Sequence, residues 1–92
     1  MDQNAQSPEA LEKQKQFFER ARKGVLLYLS DQGGKLSMSE LHEHSLKKYL
    51  IQHQRFSQMM ESFVSEQLVE FDWGTQDVTL TDAGRAFIQK TL

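Results

Sequence analysis

The chain has 92 residues, room for one domain, and its hydrophobic content of 38% includes six Phe, one Trp and eleven Leu. It contains no cysteine, which excludes disulfides and thiolate metal sites, and its longest apolar run, Val25–Leu29, is far too short to span a bilayer. Eleven Lys and Arg against thirteen Asp and Glu leave a formal charge of −2, so the strong basic balance typical of nucleic-acid binders is missing.

That charge is unevenly spread. Residues 1–60 carry nine basic and seven acidic side chains, whereas residues 61–92 carry two basic (Arg85, Lys90) and six acidic ones. The start of the chain has neither the basic nor the apolar region of a secretory signal, so the cytoplasm is the expected compartment and no membrane contact is expected.

In chain order, residues 1–7 are polar and are expected to form a disordered start. Ser7-Pro8 reads as an N-cap followed by the first helical residue. Glu9 and Glu12 suit the positive end of the helix dipole. Helical spacing runs through Leu11, Phe18, Ala21, Val25 and Tyr28–Leu29, and the glycines at 33 and 34 stop it. Gly24 marks either a bend or a close contact with another helix. Next, residues 36–41 (Leu-Ser-Met-Ser-Glu-Leu) form a capping box with a hydrophobic staple. Ser37 caps, Glu40 reaches back, and Leu36 packs on Leu41. The helix so opened should run to about Lys48–Tyr49. Residues 50–53 are either a turn or the start of the next helix, because no Gly or Pro marks the boundary.

A third helix is predicted over about residues 54–66. Phe56, Met59, Met60, Phe63 and Val64 recur at i, i+3, i+4, i+7 and i+8, which is a core stripe. Its polar side holds Gln54, Arg55, Ser57, Gln58, Glu61, Ser62 and Ser65. Residues 68–72 alternate as a half-buried strand, and residues 78–80 answer it across a short hairpin in which Gly74 should supply the unusual backbone angle. Thr81 then caps a last helix, with Asp82 in its first turn and Ala86, Phe87 and Leu92 facing inward.

Three of these segments, Leu-Ser-Met-Ser-Glu-Leu (36–41), Phe-Val-Ser-Glu-Gln-Leu-Val-Glu (63–70) and Leu-Thr-Asp-Ala-Gly-Arg-Ala (80–86), resemble the signposts of small winged helix-turn-helix regulators. The MarR-like group is the nearest type, and the resemblance covers about residues 24–88. It implies an α+β, mostly α fold. A winged helix-turn-helix core with a two- or three-stranded β-wing would span residues 24–92, preceded by a helical extension over residues 8–23, all within one domain from 8 to 92. In that family the second signpost closes the recognition helix, and the third leaves the wing for a helix often used in dimerisation. The chain departs from the pattern twice. Gln67 stands where the family usually has Gly, so that helix end must cap differently. The wing tip, residues 74–77 beside Asp72, carries none of the usual Lys or Arg.

The leading functional expectation is a DNA-binding transcriptional regulator with the third helix in the major groove of double-stranded DNA. Arg55 and Gln58 are the candidate base readers, since Arg suits guanine and Gln suits adenine. Gln54 and Ser57 could touch base or phosphate, and Lys35, Lys47 and Lys48 could hold phosphates. The alternative is a winged-helix protein–protein interaction module without DNA binding, in which Trp73, Asp72 and Asp77 of the wing meet a protein partner. Trp73 either serves that contact or folds back on Phe71 or the third helix. The basic run from Arg20 to Lys23 either flanks a phosphate or is the solvated side of an amphipathic helix.

Leu11, Phe17 and Phe18 are too apolar for a free tail, and they point to a homodimer through the first and last helices. His42 and His44 are two residues apart, so on a helix they point about 200° apart and cannot easily share an ion. With His53 they read as ordinary surface or capping residues, and no metal or cofactor is expected. No Gly-rich phosphate loop, Cys nucleophile or assembled Ser–His–Asp set is present, so the chain is not expected to be an enzyme.

Overall fold

In the computed structural model, residues 8–91 are described. The expectations for residues 1–7, the Ser7 cap among them, and for Leu92 lie outside that range. Helix α1 (Pro8–Asp31) is unbroken, so no structural boundary falls between residues 23 and 24. Gly24 is a contact point in it: a Cβ there would lie 1.7 Å from the Tyr49 hydroxyl. The helix closes with the N–H of Gly33 donating to the Ser30 carbonyl and that of Gly34 to Leu29. Gly33 sits at φ 95°, a left-handed angle that suits glycine.

Strand β1 (Lys35–Ser37) follows, in a stretch where only the capping box was expected. That box is complete at the start of α2 (Met38–Tyr49): Glu40 N–H donates to Ser37 Oγ at 3.1 Å, and Ser37 N–H to Glu40 Oε1 at 3.4 Å. Helix α2 ends on Leu50 at φ 58°, and α3 (His53–Ser65) ends on Gln67 at φ 61°. Both residues do what Gly33 does for α1, without being glycine. Gln67 thus takes over the role of the expected glycine: its N–H reaches the Val64 carbonyl and that of Leu68 reaches Phe63.

Strands β2 (Val69–Asp72) and β3 (Asp77–Leu80) form the hairpin, and α4 (Asp82–Thr91) completes the fold. The left-handed turn residue is Gln76, at φ 65°, and not Gly74. Thr81 caps α4 by accepting the Gly84 N–H at 2.9 Å, while its own hydroxyl donates to the Gln67 carbonyl at 2.6 Å. Gly84 is needed for its lack of a side chain, because a Cβ would lie 2.2 Å from the Leu68 carbonyl oxygen.

The three strands make one antiparallel sheet in the order β1-β3-β2. The fold is therefore α+β and mostly helical. Its core joins Val25, Leu26 and Leu29 of α1 to Leu41 of α2, Phe56, Met59 and Phe63 of α3, Val78 of β3 and Ile88 of α4. Two inward assignments shift, and one core residue was not foreseen. Val64 is 47% exposed, Ala86 faces solvent, and Ile88 is buried beside the half-buried Phe87. Among the described residues no helix is long and apolar enough to cross a membrane.

The basic run 20–23 is not one solvated face. Arg22 is only 6% exposed. Its Nη2 donates to Glu66 Oε2 at 2.7 Å and its Nη1 to Glu19 Oε1 at 3.0 Å. The guanidinium also lies 5.4 Å from the Phe63 ring and 5.8 Å from that of Phe87. One side chain thus ties α1 to the end of α3 and to α4. Both carboxylates stay about half in water, so the ion pairs alone are modest, and the packed stem and rings carry much of the effect. Arg22→Ala should lower unfolding free energy by roughly 2–3 kcal/mol, below the ~3–5 kcal/mol of a fully buried pair. Arg22→Met should lose less than half of that in the same urea titration.

Candidate functional site

At about 100° per residue, Gln54, Gln58, Glu61 and Ser65 fall on the outermost meridian of α3, and all four are exposed. Ser57 and Val64 flank this line on the side of the hairpin, where both line a groove with Phe71 and Trp73. Arg55 flanks it on the other side, its guanidinium 5.5 Å over the Phe18 ring of α1. The meridian is thus two amides, a hydroxyl and a carboxylate, with its nearest cation turned toward α1.

The groove has a volume of about 680 Å³ and runs between the start of α2, α3 and the hairpin. Phe56, Met60 and Phe71 form its apolar base, and Met38, Val64 and Trp73 stand along its sides. Among the described residues no Lys or Arg lines it, and Glu61 is the one carboxylate that does. Trp73 is 81% exposed, yet its ring meets Phe71 edge-on at 4.7 Å. It therefore leans on Phe71, as one expectation held, while leaving most of its surface to solvent.

The hairpin that presents Trp73 is held by its own acid. Asp72 Oδ1 accepts the N–H groups of Gly74 at 2.8 Å and Thr75 at 3.2 Å. Those donors, Thr75 first, hold the Asp72 carboxyl below the usual carboxylate range. Gln76 N–H donates to the Asp72 carbonyl at 2.7 Å, and the Gln76 carbonyl accepts the Met38 N–H at 2.9 Å. This last bond fixes the hairpin against the start of α2. Asp77 pairs with Lys35 at 3.7 Å. Both acids expected to face a partner thus also have work within the sheet, Asp72 in the hairpin turn and Asp77 between β3 and β1.

The cations expected on DNA are not gathered. Lys35 sits before α2 and Lys47 and Lys48 at its far end, roughly 18 Å away for a helix of 12 residues. Lys47 pairs with Glu43 at 2.8 Å, and Lys48 lies 5.9 Å over the Tyr49 ring. Gln54 and Gln58 make no hydrogen bond through their side chains among the described residues. Of the residues expected at a dimer interface, Leu11 and Phe17 are 48% and 46% exposed. Phe18 is half-buried against the core and covered by Arg55. The last helix packs on α1 of the same chain.

His42 and His44 are half-buried and so are not plain surface groups, whereas His53 is exposed at the start of α3. His42 lines the groove with its ring 4.9 Å from Phe56 and 5.6 Å from His53, and its Nε2 is buried without a hydrogen-bond partner among the described residues. His44 stacks on Tyr28 at 3.7 Å with the rings 4° from parallel. No three His, Cys, Asp or Glu side chains are grouped as a metal site among the described residues.

Two of these features left a trace in the sequence. Arg22 lies four residues from both Phe18 and Leu26, on the core stripe, and Val64 lies at the edge of the polar meridian. No protein-family model matches the chain, and no curated protein or solved structure is significantly similar to it.

Burial against Tyr28 and then the nearby charge of Lys48 lower the His44 pKa below its ordinary value. The folded state therefore favours neutral imidazole. That contribution is present above the unfolded pKa and is lost as pH falls through the folded one. His44→Phe keeps a flat ring on Tyr28 and removes the titration. Its stability should vary less than the wild type's between pH 7 and pH 5 in thermal melts.

Proposed function

We propose that the chain is a winged-helix domain that works by docking a protein segment in the groove between α3 and the β2–β3 hairpin, without catalysis or a cofactor. The order of elements supports the fold: a helix, a short strand, two helices joined by a tight turn, and a hairpin whose second strand pairs with the first short strand. One observation carries the docking reading. The groove beside α3 exposes Trp73 and Val64 and includes no Lys or Arg. Phosphates brought to α3 would meet Glu61, whereas an exposed Trp over an apolar cleft suits a protein anchor.

A second reading, duplex DNA, rests on the exposed, unbonded amides of Gln54 and Gln58 beside Arg55, with Lys47 and Lys48 at the end of α2. Fluorescence anisotropy with random duplex at low salt separates the two. Docking expects no binding at tens of micromolar. Binding that vanishes in the double variant Arg55→Ala, Gln58→Ala would replace docking with base readout.

The domain is also proposed to form a homodimer through α1. Leu11 and Phe17 of α1 are 48% and 46% exposed, Phe17 with its ring 6.4 Å edge-on from Tyr49, and large apolar side chains left half in water on a long helix support a second copy there. Light scattering should give twice 10.7 kDa, and Leu11→Lys with Phe17→Lys should halve it. A wild-type monomer at about 100 µM would reject the dimer.

A further inference from the structure

We infer that the segment taken by the groove is basic as well as apolar: one or more bulky apolar side chains enter between Val64 and Trp73, and a Lys or Arg beside them meets Glu61. This rests on the docking reading of the same groove. The volume of about 680 Å³ lies within the roughly 300–1,000 Å³ of ligand clefts, so it holds more than a single methyl-sized group. Met38 at its side and Met60 in its base adapt to irregular apolar shapes.

Among the described residues, the charged side chain that lines the groove is acidic. Glu61 is the one carboxylate among the lining side chains, and no Lys or Arg accompanies it. Asp72 stands next to Trp73, and its carboxyl is kept ionised by the N–H groups of Thr75 and Gly74. The nearest lysine of the sheet, Lys35, is held by Asp77. Apolar walls weaken solvent screening at such a rim, so an acidic segment is repelled there and a basic one is drawn in. The same field disfavours the phosphates of a nucleic acid.

The chain's single Trp supplies the readout, since Trp73 is 81% exposed before anything binds. A random library of about twelve-residue peptides displayed on phage is panned on the full chain, with the Val64→Ser, Trp73→Ser double variant as the counter-selection. Both replaced side chains are exposed, and far-UV circular dichroism checks that the variant folds. The expected consensus pairs a bulky apolar residue with Lys or Arg. A synthetic consensus peptide should shift Trp73 emission to the blue. Glu61→Gln should weaken that peptide about two- to fivefold, as loss of an exposed ion pair does. Glu61→Lys should recover binding when the peptide's basic residue is changed to Glu.

A neutral or acidic consensus, or an affinity that ignores Glu61→Gln, overturns the basic partner and leaves the docking groove standing. Failure to enrich any peptide that depends on Val64 and Trp73 overturns the docking reading with it.

Discussion

The groove depends on β3 being paired along both edges. Leu36 of β1 and Phe71 of β2 both face Val78, which is fully buried. The β1 pairing carries the start of α2 onto the sheet, and the Met38 N–H then finds the Gln76 carbonyl in the hairpin turn. The β2 pairing carries Phe71 and Trp73 back toward α3. Without β1 the hairpin would be a two-stranded ribbon, marginal by itself, with nothing to set its angle to α3. The groove is thus a consequence of strand pairing, and its lining comes from the start of α2, from α3 and from the hairpin.

The opposite side of α3 is fixed by charge inside an apolar setting. Arg22 reaches Glu66 just beyond the last turn of α3 while its guanidinium lies near Phe63 and Phe87. Arg55 does something related near the other end of α3, where it covers Phe18. Both arginines therefore tie α1 to α3, Arg22 from the α1 side and Arg55 from the α3 side. The same geometry that steadies α3 removes cations from its outer meridian and leaves Gln54, Gln58, Glu61 and Ser65 to meet whatever approaches. Local partners for Lys35 and Lys47 act in the same direction.

Much of the fold was legible because local signals carried it. The Ser37–Glu40 capping box, the stripe through Phe56, Met59, Met60 and Phe63, the alternation at residues 69–72 and the Thr81 cap all act within a few residues. Their physics is the same in a peptide as in the domain. The slips at helix ends and in the hairpin turn share one cause. Leu50, Gln67 and Gln76 adopt left-handed angles that glycine or asparagine would have announced. A rule based on glycine assigned the hairpin angle to Gly74 and left the α2–α3 boundary open.

The sequence by itself determined the helices, the hairpin, their order, and the acidic balance of residues 61–92, because spacing, capping and charge are properties of short stretches; the three-residue β1 had no such local signal. Only the tertiary structure decided what the polar and apolar side chains face. Arg22 goes inside since it has Glu19, Glu66 and two rings to receive it. Val64 stays outside since the hairpin stops short of covering it, and Trp73, in the turn just past β2, rests edge-on against Phe71. Such outcomes depend on contacts across tens of residues, and those contacts are set by strand register and helix packing, which no local pattern in this chain encodes.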